Sequence, residues 1–199
     1  KGFTFKSANN NIICQPKHFK ISSKDYITLK TNNKLYILNR LGKTRVKPKQ
    51  SFPYSNQPVF LYNNTFTTTS ASGDLISVDA KGNVSSTNLN LSENHHIETT
   101  SKTLVAQSEN KLYIKSKTTE LDFGDYSSPK IFYINNKIYV SITDLQSHKT
   151  YLYDSQSKLL PNFPVYGNST IDLDNIDKDR NLEFVHKGEN NAIILYQII

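Results

Sequence analysis

The sequence of 199 residues contains no Met, no Trp, a single Cys, and only 7 Gly and 7 Pro. Each shortage excludes something. A translation product begins with Met, so a chain beginning at Lys1 is expected to be a processed protein or a domain cut from a longer one. One cysteine, Cys14, allows no internal disulfide and no C-x-x-C metal motif. Its bland role is a buried small apolar residue; a free thiol and an attachment point stay open. No run approaches the ~20 apolar residues of a membrane helix, the most apolar stretch being Ala192–Tyr196. No glycine-rich phosphate loop, dinucleotide fingerprint or G-x-S-x-G elbow is present. Hydrophobic residues make up 36%, below the usual ~45–50%. Aromatics at 11% keep the chain out of the disordered class.

What is there reads as strand. No window places apolar residues at i, i+3, i+4 and i+7 over three helical turns. Short runs rich in Ile, Val, Tyr, Phe and Thr recur instead, such as DYITLKT from Asp25, DLISVDA from Asp74 and KIYVSITD from Lys137. Asn, Asp, Gly, Ser and Lys bound them, which is the hairpin signature. Asn32-Asn33, Asn63-Asn64, Asn135-Asn136 and Asn190-Asn191 sit between paired runs. Asn tolerates positive φ, so Asn-Asn substitutes for Asn-Gly in tight turns. That lets an all-β chain manage with few glycines.

One unit repeats: a turn, an alternating strand, an Asn or Asp, a second turn. Its copies are NNKLYILNRLGK, SGDLISVDAKGN, ENKLYIKSKTTE, SHKTYLYDSQSK and ENNAIILYQII. Equivalent positions are Leu38, Val78, Lys115, Tyr153 and Tyr196, and Lys115 breaks the apolar pattern. A period of about 40 residues with four strands fits a β-propeller blade. The expected fold is therefore an all-β propeller of about five four-stranded blades in one domain over 1–199. Its units span roughly 18–49, 58–91, 96–123, 130–165 and 170–199. The last unit ends after its third strand, and residues 2–7 are expected to supply the closing strand.

The pattern strand, Asp or Asn, two residues, Gly, Lys or Asn, in LYILNRLGK and LISVDAKGN, resembles the PQQ-like propeller repeats. IDLDNIDKDRNLEFV, from Ile171, is similar to the FG-GAP or VCBS repeat, whose acidic loop reads D-x-D-x-D-G-x-x-[DE]. These resemblances imply a bacterial envelope or secreted protein of the Bacteroidetes type, hence a location outside the cytoplasm. The loop implies a Ca²⁺ site at Asn175, Asp177, Asp179 and Glu183, since carboxylates at alternate positions converge on a hard cation. Asn175 replaces the first carboxylate, and Arg180 replaces the turn glycine. The competing reading is a loop whose Asp side chains bond nearby backbone N–H groups. Beyond Ca²⁺, no cofactor is expected.

Lys plus Arg number 24 against 17 Asp plus Glu, a net charge of +7. The stretch from Lys30 to Lys49 contains no carboxylate and reads as a basic patch of Lys30, Lys34, Arg40, Lys43, Arg45, Lys47 and Lys49. Its ordinary meaning is a solvated blade surface; its functional meaning is an anionic partner. His95-His96 point to opposite faces of a strand and do not chelate one ion. No converging reactive set exists, so no catalytic residue is assigned and the reading leans away from an enzyme. The expected function is a non-catalytic binding or scaffolding module, monomeric, with a protein or glycan partner. Nucleic acid is the less favoured partner. A part in an outer-membrane assembly complex, and a glycan-active propeller enzyme, are the alternatives. The enzyme would need Asp125, Asp144, Asp154, Asp172 and Asp174 to line a channel.

Overall fold

The computed structural model describes residues 2–8 and 10–199. Among them there are five antiparallel sheets and no helix. The first sheet runs β1 (Lys17–Ile21), β2 (Lys24–Thr31), β3 (Lys34–Leu38), β4 (Thr44–Val46), and the second β5 (Phe60–Tyr62), β6 (Thr65–Thr69), β7 (Leu75–Val78), β8 (Val84–Thr87). The third contains β9 (His95–Thr99), β10 (Leu104–Ser108), β11 (Lys111–Ile114) and β12 (Lys117–Glu120). The fourth contains β13 (Lys130–Ile134), β14 (Lys137–Asp144), β15 (Lys149–Asp154) and β16 (Val165–Tyr166). The fifth has three strands, β17 (Asp172–Asp174), β18 (Leu182–Lys187) and β19 (Ile193–Ile198). The chain packs as two compact units, Lys1–His95 with Thr99–Lys102, and His96–Glu98 with Thr103–Ile199.

The second strand of each four-stranded sheet has a pairing partner on either side and is mostly buried on both faces. Thr67, Thr68 and Thr69 of β6 are fully buried, as are Val105 and Ala106 of β10. The β-branched and small residues of these strands suit a pleated surface covered on both sides. In the first unit the core joins Leu35, Ile37, Phe66, Ile76 and Val78 of the first two sheets. In the second, one cluster joins Val105, Leu112, Val140 and Ile142, and another joins Leu152, Leu173 and Phe184. Leu75, Ile138 and Ile194, apolar positions of the alternating runs, are only partly buried; in β7 it is Ile76 and Val78 that turn inward.

The hairpins show how Asn replaces Gly. Asn63 and Asn64 (φ 48° and 60°) join β5 to β6, and Asn135 and Asn136 (50° and 62°) join β13 to β14. Both central residues are left-handed, as in the turn whose twist matches a hairpin. Ser22 and Ser23 adopt the same conformation between β1 and β2. Asn32-Asn33 turns without a positive φ.

The repeat signature corresponds to one recurring turn between the third and fourth strands. Asn39 Oδ1 accepts the N–H of Leu41 (2.8 Å) and Lys43 (3.1 Å). Asp79 Oδ1 accepts from Lys81 (2.8 Å) and Asn83 (2.9 Å). Asp154 Oδ1 accepts from Gln156 (2.7 Å) and Lys158 (3.0 Å). Gly42, Gly82 and Ser157 then take the left-handed position, at φ 75°, 81° and 62°. The side chain satisfies backbone donors that the turn removes from the ladder. The third sheet lacks this device: Ser116 stands at the Asn or Asp position, and the strand stops at Ile114.

One expectation is corrected. Residues 2–7 form no strand and do not complete the fifth sheet. The Phe5 ring instead packs edge-on against Tyr36, 5.0 Å between centroids. Phe3 lies over Gly42, where a Cβ would come within 2.5 Å of its ring. Both rings find apolar surface on the first sheet. The fourth strand of the fourth sheet is short, Val165–Tyr166, because Pro161 and Pro164 carry no N–H for a ladder.

Asp154→Ala is expected to lower stability by about 1 kcal/mol in urea denaturation. Asp154→Asn should stay within a few tenths, roughly, because Asn39 performs the same role in the first sheet.

Candidate functional site

The basic patch does not survive as one surface. Lys30 lies on β2, a strand covered on both faces, and is fully buried. Its Nζ donates to Ser55 O at 3.0 Å and Thr68 Oγ1 at 2.6 Å, and lies 5.6 Å from the Tyr54 ring centroid. Burial lowers its pKa from 10.5 to about 8, and the nearby Cys14 works weakly against that shift. Burial also pushes the Tyr54 phenol up to about 12. Lys30 is thus a core cation, unavailable to a partner. A lysine in a basic run looks like surface until the strand pairing is known.

The other six are exposed. Arg40 and Lys43 ride on the β3–β4 turn, and Arg45 projects from β4 with its guanidinium 5.3 Å from the Tyr26 ring. Lys34, Lys47 and Lys49 share one groove. It has a volume of about 280 Å³, its floor is Leu35, Tyr36, Val46 and Pro48, and its polar wall includes Gln50 and Ser51. Tyr36 is half-buried, braced by Phe5 on one side, with Lys34 Nζ 4.9 Å from its ring centroid. Such a cation beside a ring is attracted by the ring's negative face. Lys49 Nζ also donates to Asn83 Oδ1 at 2.6 Å, and the Asp79 carboxyl lies close enough to feel its charge. A hydrogen bond from Asn83 leads the contacts that hold Asp79 below the usual carboxylate range. The carboxylate missing from 30–49 is therefore supplied in part from the second sheet. Gln50 and Ser51 escaped the sequence reading because neither carries a charge or a motif.

The acidic loop lies between β17 and β18. Among the described residues, the set of His, Cys, Asp or Glu that could hold one ion is Asp177, Asp179 and Glu183, with one oxygen from each within 4.8 Å of the others. Glu183 is 5% exposed and accepts from Ile176 N (2.9 Å) and Gln197 Nε2 (3.2 Å). Asp177 Oδ1 accepts from Asp179 N (3.0 Å), and Asp179 Oδ1 from Asn181 N (2.5 Å). Asn175 donates through Nδ2 to Asp179 O at 2.8 Å, while its Oδ1 is buried without a hydrogen-bond partner. Three clustered carboxylates are hard oxygen donors of the kind Ca²⁺ takes. The left-handed residue of the loop is Lys178 (φ 65°), so Arg180 at the glycine position is not where the chain needs that freedom.

Of the five carboxylates an enzyme would need in a channel, Asp144 and Asp154 are engaged in turns. Asp144 is 2% exposed and accepts from Gln146 N (2.9 Å), Asp125 N (3.2 Å) and Ser147 N (3.3 Å), and from the Ser147 hydroxyl. Burial raises its pKa, but these bonds outweigh it and leave the group below its ordinary value. Asp154 caps a turn, and Asp172 and Asp174 are exposed on β17. His95 is buried, with one ring nitrogen bonded to Thr69 Oγ1 (2.7 Å) and the other to Ser92 O (2.8 Å). His96 shares a hydrogen bond with Ser128 Oγ (3.0 Å). Paired groups of this kind hold the fold.

Lys30 makes a pH prediction. The unfolded side chain titrates near 10.5 and the folded one near 8. Between those values the unfolded state binds more protons, so stability rises with pH. Denaturation should show a rise on the order of 2 kcal/mol from pH 8 to 10, absent in Lys30→Met. Above pH 10 the raised Tyr54 pKa reverses the trend, because the folded state then holds the extra proton.

No family model matches the sequence, and no curated protein matches it. Solved structures do resemble it in fold. BamB from Moraxella catarrhalis superposes with a TM-score of 0.58 at 11% identity, over 95% of this chain and 62% of that one. A catalytically inactive virginiamycin B lyase from Staphylococcus aureus, solved with quinupristin, gives 0.55 at 15% identity, over 98% and 73%. The computationally designed Ika8 protein gives 0.53 at 13% identity, over 89% and 56%. The chain thus spans about 62% of the BamB chain. At these identities the likeness is one of fold: this is an all-β chain with the sheets of a β-propeller.

Proposed function

We propose that this chain is a non-catalytic binding and scaffolding module that works outside the cytoplasm, as a monomer, on a protein or glycan partner bearing negative charge. The groove of Lys34, Lys47 and Lys49 over Tyr36 carries the reading. Three lysines line it beside an aromatic ring, with polar side chains for orientation, as a ligand site needs. The engagement of Asp144 and Asp154 by backbone N–H groups supports the non-catalytic part. A second reading, a structural component of an outer-membrane assembly complex, draws on the PQQ-like repeat signature and on the likeness in fold to BamB. Fold alone leaves function open, and the groove is compatible with either setting.

The acidic loop enters the same proposal as a Ca²⁺ site. Asp177, Asp179 and Glu183 would supply carboxylate oxygens and Asn175 its carbonyl. The ion would neutralise three clustered carboxylates and tie the β17–β18 loop to the buried Glu183. It would stabilise the fifth sheet and take part in no reaction.

Both parts are testable. On a heparin column the wild type should stay bound at ~0.15 M salt, and the Lys34→Glu/Lys47→Glu/Lys49→Glu variant should not. Wild-type elution below that salt, or retention equal in both proteins, sinks the groove reading. Calcium at millimolar concentration should raise the melting temperature by about 3–6 °C, and Asp177→Asn/Asp179→Asn should abolish the rise. A wild-type melting temperature indifferent to calcium removes the metal site.

A further inference from the structure

The second unit contains a larger cleft. It has a volume of about 600 Å³ and lies where the β11–β12 turn, the β13–β14 hairpin and the β15–β16 connection meet. That size falls within the range of small-molecule sites. Three ammonium groups line it, Lys115, Lys137 and Lys158, all exposed. Asp154 is the one carboxylate in the lining, and its Oδ1 is already engaged by Gln156 N and Lys158 N. Apolar surface comes from Ile138, Leu159, Leu160 and Pro161. Tyr133, 65% exposed, adds an aromatic face at the hairpin end, its hydroxyl donating to Asn136 Oδ1 at 3.0 Å.

Lys115 is the informative residue. In the other four-stranded sheets its position is filled by Leu38, Val78 and Tyr153, which are 0%, 0% and 4% exposed. Here the strand ends one residue early, and Lys115 takes φ 56° while its N–H donates to Leu104 O at 2.8 Å. That conformation belongs to the two-residue hairpin turn Lys115-Ser116, which closes the Ile114–Lys117 pair. The repeat therefore gives up a buried apolar position and gains an exposed lysine that lines the cleft. Lys117 holds the cleft in shape: its Nζ reaches Gln156 O at 3.1 Å and Gln156 Oε1 at 3.4 Å, linking the third sheet to the β15–β16 turn.

We propose that this cleft binds an acidic oligosaccharide, its carboxylate or sulfate groups on Lys115, Lys137 and Lys158 and the apolar face of a sugar ring on Tyr133. A sugar acid combines charged groups with C–H ring faces, and the cleft alternates ammonium groups with an aromatic ring and half-buried aliphatic carbons. Single-stranded nucleic acid needs a series of stacking rings, and the cleft offers the exposed Tyr133 and the half-buried Tyr139. The site is separate from the groove of Lys34, Lys47 and Lys49, and it deepens the glycan part of the reading above.

Calorimetric titration with trigalacturonate, maltotriose and triglutamate tests it. Trigalacturonate should bind, and both the neutral sugar and the equally charged peptide should bind roughly tenfold more weakly or worse. Lys115→Asn should weaken trigalacturonate by about tenfold without lowering the melting temperature, since Asn accepts the left-handed conformation. Tyr133→Ala should weaken it several-fold, while the Lys34→Glu/Lys47→Glu/Lys49→Glu variant should bind it as the wild type does. Equal binding of triglutamate, no binding of trigalacturonate, or full affinity in Lys115→Asn overturns the proposal. Loss confined to the Lys34, Lys47 and Lys49 variant assigns the sugar to the groove and also overturns it.

Discussion

A strand buried on both faces has no water to satisfy its peptide groups, so every N–H and C=O must find a partner in its own sheet. The strands β2, β6, β10 and β14 live under that constraint, and each is flanked on both sides by antiparallel neighbours. The rest of the architecture follows. Antiparallel neighbours in chain order require tight hairpins. Tight hairpins require left-handed residues, which this chain draws from Asn and Ser at most positions and from Gly at few. The wider turn between third and fourth strands removes backbone donors from the ladder, and Asn39, Asp79 and Asp154 return partners to them.

The same constraint decides the fate of charge. Lys30 sits on a doubly covered strand, so its ammonium is held by a carbonyl, a hydroxyl and an aromatic face inside the first unit. The neighbouring lysines sit on the third and fourth strands and their turns, where one edge meets solvent. Their alkyl stems and the Tyr36 ring make a groove in which charge stays hydrated yet directed. The carboxylates divide in the same way. Asp144 and Asp154 are absorbed by turns, whereas Asp177, Asp179 and Glu183 are gathered by the long β17–β18 connection. The proposed binding surfaces lie where the repeat departs from its own rule: at the extended segment after β4, at the long loop before β18, and at the early stop of β11.

Much of this was legible in the chain. Alternating Ile, Leu, Val and Tyr runs and a period near 40 residues specified an all-β propeller, because side-chain period and turn chemistry are local properties. The Asn or Asp of each repeat was visible, and its role as a turn cap is a short-range hydrogen bond. The acidic loop was legible for a similar reason: residues 175–183 close on themselves within one connection. The lysine groove was only partly visible. Lys34, Lys47 and Lys49 are close in sequence, but Lys30 differs from them solely by which strand it occupies.

The sequence by itself determined the strand content, the repeat, the tight Asn turns and the acidic loop, all of which depend on residues near one another along the chain. Tertiary structure decided the rest. It buried Lys30, because strand order and cover are set by distant segments such as Ser55 and Thr68. It turned residues 2–7 onto the first sheet, where Tyr36 and Gly42 accept Phe5 and Phe3. It brought Lys115, Lys137 and Lys158 to one cleft, since their sheets pack side by side while their positions lie far apart in the chain.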